Sequence, residues 1–228
     1  MSRLPKVIYV MGPPGAGKGT QAAMLAEKIG YHQFSTGSAF REAAQQDTPF
    51  GRKVKETIEN GFLMPPESAA EIVIKAIRQH VSEGQGLIFD STPRTVKEAA
   101  IIDAFFKEAG YGAPMALYLN VDRDEMIRRN SQRQFCLGVA SDFPVMTDED
   151  RRRCAELGGQ VGSRPDDAPE KFATRWDEFM NQTYPVVERY LAEGIAHEVD
   201  GMPPVPEVHE AVMQGIATYD SPQVGAGD

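Results

Sequence analysis

The run Gly12-Pro13-Pro14-Gly15-Ala16-Gly17-Lys18 fits the spacing G-x-x-x-x-G-K, in which main-chain amides and one ammonium converge on phosphate oxygens. Glycines let backbone N–H groups approach an anion without interference from a Cβ. A helix starting after the loop adds its positive dipole end, and Lys18 adds a point charge. That chemistry needs a strand before the loop and a helix after it. Residues 6–11 (KVIYVM) are rich in β-branched and aromatic types and stop at Gly12, as a buried strand does. Ala23, Met24, Ala26 and Ile29 space an amphipathic helix over 18–30, with Gly30 as its stop. A glycine-rich turn ending by chance in lysine is the bland alternative, and the setting argues against it.

The rest of the chain must hold that loop in place. Short buried strands are expected at 87–90 (LIFD), 115–121 (MALYLNV) and, more weakly, 195–200. Helices are expected at 67–83, 96–110, 124–134 and 169–192. Strands alternating with helices imply an α/β fold with a mostly parallel sheet covered on both faces. Residues 36–66, helical and polar, and 134–164, a mixture of Gly, Pro, Asp and Arg without a sustained period, break the rhythm as insertions. From Tyr219 onward the composition suggests a frayed tail.

With 228 residues, 41% hydrophobic and 25% charged, the chain can bury one sizeable core. Its net charge of −9 argues against nucleic-acid or anionic-membrane partners, so phosphates would have to be held by a local cluster of cations. The apolar stretch near the N-terminus is too short for a signal peptide or a membrane span, and two cysteines do not make a disulfide framework. A cytoplasmic protein is expected.

Gly19 stands where a hydroxyl residue usually follows the lysine, and Thr20 comes next. This variant, GPPGAGKGTQ, resembles the loop of adenylate kinases, and the resemblance extends over about residues 7–217. It implies a P-loop, doubly wound core with a five-stranded parallel sheet, made of residues 1–35, 67–133 and 165–218. Residues 36–66 would form a mobile monophosphate-binding insertion, 134–164 a mobile lid and 219–228 a flexible tail. The activity implied is reversible phosphoryl transfer from MgATP to a nucleoside monophosphate, AMP by family, in a monomer.

The segment Phe34-Ser35-Thr36-Gly37-Ser38-Ala39-Phe40-Arg41 is similar to the family's S-T-G-D-x-x-R, which implies Thr36 near the acceptor base and Arg41 on its phosphate. Phe62, Leu63 and Met64 stand where the family holds the acceptor's ribose and base. Asp90-Ser91-Thr92-Pro93-Arg94-Thr95 resembles D-G-F-P-R-T; Asp90 would orient Mg²⁺ through water, Arg94 would grip the acceptor phosphate and Ser91 would lie against the base. Arg129 and Arg133, four apart on one expected helix face, resemble the ATP-side pair, one on the adenine and one on the phosphates. Arg164-Pro165-Asp166-Asp167 resembles the lid exit, with Arg164 and, eleven residues on, Arg175 as phosphate clamps. Taken singly, a strand-end Asp is often a helix cap, and arginines mostly decorate surfaces. Guanidinium groups suit the task because they stay charged and fork onto two oxygens. A nucleotide-binding regulator derived from such a kinase is the competing reading. A GTPase switch would need a guanine-reading N-K-x-D after the loop, and none follows.

Several departures touch the expected sites. Ser38 replaces Asp, and Ser91-Thr92 replace Gly-Phe. Cys136 and Cys154 align with a zinc-bearing lid, but Val139 and Leu157 stand where the second cysteine of each pair would be. Structural zinc is therefore not expected; a lid stapled by apolar packing is, since a reducing compartment disfavours a Cys136–Cys154 bond. Glu98 occupies the place of a Gln that reads adenine. An ionised carboxylate only accepts hydrogen bonds and would suit the two donors of a guanine edge, leaving GMP or a broader acceptor range as an alternative. Equally, Glu98 could point to solvent.

Overall fold

The apolar run ahead of the glycine loop becomes the middle of a sheet. The computed structural model describes residues 4–139, 142–164 and 167–219. Strand β1, Val7–Met11, is buried at every position and lies between β3, Leu87–Asp90, and β4, Met115–Asn120. β2, His32–Ser35, flanks β3, and β8, Ala196–Asp200, flanks β4, giving a parallel five-stranded sheet of order β2-β3-β1-β4-β8.

Both faces are covered, which is why β1 is apolar throughout instead of alternating. Val7, Tyr9 and Met11 pack beneath α4, Pro66–Ser82, α5, Val96–Ala109, and α9, Tyr184–Ala192, through residues such as Ile77, Ile102 and Val187. Ile8 and Val10 point the other way, onto Leu25 of α1, Lys18–Ile29, and Val212 of α10, Val205–Thr218. The core is the doubly wound α/β arrangement expected from the sequence. Gly12 and Asp90 stand at the carboxyl ends of adjacent strands, where such sheets open a ligand crevice.

Residues 36–66 contain α2, Thr36–Ala44, and α3, Pro49–Glu59. Phe40, Val54, Met64 and Ala69 give this region its own small apolar cluster. After α6, Arg123–Gln132, the segment that showed no period forms an antiparallel sheet of order β6-β5-β7, from β5, Gln134–Leu137, β6, Phe143–Val145, and β7, Gln160–Gly162. Its strands are three or four residues long, too short to display alternation. α7, Asp148–Glu156, starts at a capping box between Thr147 and Asp150.

The expectation about the lid cysteines is corrected. Cys136 on β5 and Cys154 on α7 form a disulfide, with Cα atoms 5.5 Å apart. Both side chains are buried in a cluster with Val145, Val139 and Phe143. With the second cysteine of each aligned pair absent, the two remaining sulfurs face each other across the sheet–helix seam. A Cβ at Gly159 would stand 2.4 Å from the Cys136 sulfur, so this glycine leaves room for the bond. Of the two apolar replacements only Val139 joins the packing; Leu157 is 56% exposed. The cross-link spans a sequence separation of 18 residues, which on the loop-entropy account is worth about 3 kcal/mol. Cys154→Ser is therefore expected to raise amide exchange in residues 134–162 by about 10–100-fold while β1, β3 and β4 keep wild-type protection, read by exchange mass spectrometry.

Two further corrections follow. Tyr219 is not part of a frayed tail: its hydroxyl donates to Pro114 O at 3.2 Å and its ring packs on the α10 side of the sheet. Residues 220–228 of the expected tail lie outside the described ones. The single helix expected over 169–192 is instead α8, Pro169–Glu178, a π turn at Phe179–Thr183, and then α9. Pro185 has no N–H to give, and the wider turn accommodates that missing bond.

Candidate active site

The glycine loop joins β1 to α1 as expected, and its backbone takes conformations that side chains resist. Gly15 has φ +80°, and a Cβ there would meet Asn130 Nδ2 at 2.8 Å, so a larger residue would both strain the turn and push α6 away. Gly12, Pro14 and Lys18 line one cavity; Gly15, Ala16, Gly17 and Thr20 line a second. Lys18 Nζ donates to Pro13 O at 2.7 Å, which folds the ammonium back over the loop. Burial pushes the Lys18 ammonium down to about 7; Asp90 pulls against this, and the positive charges of Arg94, Arg175 and Arg133 reinforce it. Arg94 and Arg175, from two further stretches of chain, line the same cavity as Lys18.

The first cavity gathers Thr36, Arg41, Phe62, Leu63, Met64, Ser91, Arg94, Glu98 and Arg175 of the expected acceptor side. Arg41 and Arg94 converge over Gly37. A Cβ there would stand 3.3 Å from Arg41 Nη1 and 3.4 Å from Arg94 Nη2, so the bare glycine lets two guanidinium groups approach one point. Ser38 Oγ accepts from Arg41 Nη2 at 3.2 Å, and Ser91 O accepts from Arg94 Nε at 2.8 Å. Thr92 is fully buried and shares a 2.9 Å hydrogen bond with Thr36 Oγ1. The replacement of Gly-Phe by Ser-Thr is thus structural at Thr92, whereas Ser91 remains on the cavity wall.

A second cation cluster lies toward the small antiparallel sheet. Asp167, with no exposed side-chain surface, binds both Arg133 and Arg175; Arg133 Nε donates to Asp167 Oδ2 at 2.6 Å. Burial alone would raise the Asp167 carboxyl, but the hydrogen bonds and charges of the two arginines outweigh it and hold the group below its usual range. Arg129 and Arg133 do not share a helix face, because α6 ends at Gln132 and Arg133 is already extended. Arg129 turns instead to Glu125 Oε1 at 2.6 Å and to Met202 O at 3.0 Å, on the wall of the second cavity. Arg164 lines neither cavity: its guanidinium sits 3.5 Å over the Phe135 ring and 3.8 Å from Asp142. Arg133 lies 5.1 Å from the same ring. Pro165 and Asp166 of the lid-exit motif are outside the described residues.

A family model described as Adenylate kinase matches residues 10–195. Among similar curated proteins, the adenylate kinase of Salinispora tropica is 35% identical over 93% of this chain and 98% of its own length. That of Acidothermus cellulolyticus is 37% identical over 88% and 93%, and that of Archaeoglobus fulgidus 33% over 92% and 98%. The chain belongs to the adenylate kinase family.

As an adenylate kinase family member it is a nucleoside monophosphate kinase, and its departures from the family pattern can be weighed on geometry. Glu98 is the clearest. The solvent-facing alternative is excluded: the side chain is 2% exposed, lines the first cavity and accepts from the Arg94 amide at 2.9 Å through Oε2. Burial pushes its carboxyl up to about 7, against the lowering effect of Arg94 and Thr95.

Family chemistry uses Mg²⁺ with ATP, and the residues present fit it. Asp90 Oδ2 lies 3.2 Å from where a Gly19 side chain would begin, while Oδ1 accepts from Ser91 Oγ at 2.8 Å. One carboxylate beside a phosphate loop is what an ion that keeps most of its waters requires. Among the described residues no group of three or more His, Cys, Asp or Glu is placed to hold a metal, and no helix is long and apolar enough to cross a membrane.

Sequence reasoning missed part of both cavities. Phe40, Glu178, Phe179 and Thr183 line the first, and Gly201 to Val205 with Met146 line the second. Pro185 within a helical pattern was the available signal for the π turn that carries Phe179 and Thr183. No residue type flagged the Gly201–Val205 stretch.

Proposed function

We propose that this protein transfers the γ-phosphoryl group of MgATP to AMP, reversibly, so that ATP + AMP give two ADP. The observation that carries the reading is one cavity lined by Lys18, Arg41, Arg94 and Arg175, with Arg133 joined to Arg175 through Asp167, in a chain of net charge −9. The transferred group carries spread negative charge, so the protein's work is positioning and electrostatic stabilisation, and the acceptor phosphate is itself the nucleophile.

In this reading the loop of residues 12–20 holds the ATP phosphates through the amides of residues 15–20 and Lys18, with Pro13 and Pro14 shaping the turn, and Arg129 borders the adenine in the second cavity. Arg41 and Arg94 hold the AMP phosphate above Gly37, while Thr36, Phe62 to Met64, Ser91 and Glu98 surround its base and ribose. Arg133 and Arg175 exchange Asp167 for the transferring group. Arg164 joins them when the lid at 134–164 closes over the nucleotides; its stacking on the Phe135 ring that Arg133 also approaches supports a short path. Closure excludes water, protecting ATP from hydrolysis. Mg²⁺, oriented by Asp90 through water, supplies charge neutralisation when bound with ATP. The reading takes a monomer as the working unit and places that work in the cytoplasm.

The test is ADP formation from MgATP with AMP, GMP, CMP or UMP. AMP should be the preferred acceptor. ADP formation no faster than with ATP alone, for every acceptor, overturns the reading.

A further inference from the structure

Glu98 presents a problem to an AMP enzyme. Adenine's edge offers one acceptor, N1, beside one donor, the 6-amino group, and a carboxylate has no hydrogen to give to N1. The structure supplies a way out. Glu98 Oε2 accepts from the Arg94 amide at 2.9 Å, and the Arg94 peptide is itself fixed because Thr183 Oγ1 donates to Arg94 O at 2.9 Å. The carboxyl is thereby held in one orientation. The backbone of Thr95 also acts on the carboxyl, and the residue lines the cavity that takes Thr36 and Met64.

We propose that Glu98 reads the acceptor base as a neutral carboxylic acid, Oε1–H donating to adenine N1 while Oε2 accepts from the 6-amino group. The Arg94 amide makes Oε2 the acceptor and so leaves the proton for Oε1. In this form the side chain presents the donor–acceptor pair that a glutamine would. Loss of the proton turns N1 from a partner into a repelling lone pair, so base recognition becomes a function of pH.

The surroundings favour the acid. Burial raises the Glu98 carboxyl to about 7, against the lowering effect of Arg94 and Thr95. The groups around it are Arg94 from the loop before α5, Lys18 from α1, Arg41 from α2, Arg175 and Glu178 from α8, and Tyr9 from β1. On α5 itself Lys97 turns away, to Glu67 of α4. The cations oppose protonation, but in the proposed reaction they hold phosphates, and a bound AMP phosphate would neutralise their pull and raise Glu98 further.

The inference rests on the proposed AMP reaction, and the experiment separates the two. KM for AMP would be measured from pH 6 to 9 for wild type and Glu98→Gln, with KM for ATP as internal reference. AMP's own phosphate titration is common to both proteins. The wild-type to Glu98→Gln ratio of KM(AMP) should climb about tenfold between pH 7 and 9, with KM(ATP) moving alike in both. In wild type alone, the preference for AMP over 1-deaza-AMP, which lacks N1, should be about 10-fold or more at pH 6.5 and vanish by pH 9. GMP, offering two donors, should improve as pH rises. AMP turnover with superimposable pH profiles in the two proteins, or a pH-independent AMP to 1-deaza-AMP ratio, overturns the Glu98 inference and leaves phosphoryl transfer standing. No ADP from AMP in either protein at any pH overturns both.

Discussion

Lys18→Met is expected to lower kcat by roughly a thousandfold, yet to raise the melting temperature of the nucleotide-free protein. The loss follows from removing the one ammonium at the loop, already placed by its hydrogen bond to Pro13 O. The gain follows from its environment. Burial, with the charges of Arg94, Arg175 and Arg133, brings Lys18 to about 7, only partly opposed by Asp90. A lysine that titrates near 7 when folded and near 10.5 when unfolded binds fewer protons in the folded state between those values. Stability therefore rises with pH across that window, and the cost of the buried charge is fully felt below 7. Methionine removes it, so the stabilisation should be largest at pH 6 and shrink as pH rises toward 10, as read by calorimetry. A saturating ATP analogue should reverse the order, because phosphates repay the lysine for its burial. Equal melting temperatures at pH 6 would mean that Lys18 bears no such penalty.

Asp167→Ala should be the most destabilising change in the cleft. The carboxylate is completely buried and answers two guanidinium groups whose side chains are 27% and 18% exposed. Breaking a fully buried pair costs about 3–5 kcal/mol, and partial solvation of Arg133 and Arg175 brings the expectation here to about 2–4 kcal/mol. Because Asp167 is held below its usual range, the wild-type contribution is present above the unfolded carboxyl value and is lost as pH falls through the folded one. The variant should therefore lose most at neutral pH and approach wild type only as pH falls below the depressed carboxyl value of the folded protein. Turnover should drop about 10–100-fold as the two arginines lose their orientation, and nucleotide should restore part of the stability. A neutral-pH loss below about 0.5 kcal/mol by denaturant titration would show that the two arginines hold each other apart without it.

What was legible in advance was whatever a single side-chain period or a fixed spacing could encode. β1 announced itself because it is buried on both faces, and the loop because glycine, lysine and strand–helix context occur together. Arg41, Arg94 and Arg175 were readable as one group only through their order along a family pattern, since nothing local distinguishes them from surface arginines. The small β6-β5-β7 sheet resisted because strands of three or four residues carry no period. The Cys136–Cys154 bond was misjudged from compartment chemistry, whereas burial of both sulfurs on facing elements decided it. The shared face for Arg129 and Arg133 failed by one residue of helix length, an error that spacing arguments cannot detect.

The π turn at Phe179–Thr183 divides what would otherwise be one rod into two with separate phases. Upstream, Arg175 and Glu178 look into the cleft; downstream, Val186, Val187 and Tyr190 look into the sheet. A uniform helix would tie those two orientations together, so that repacking the sheet also rotated the cleft-facing arginine. The extra residue in the turn uncouples them, leaving α9 answerable to the core and α8 to the cleft.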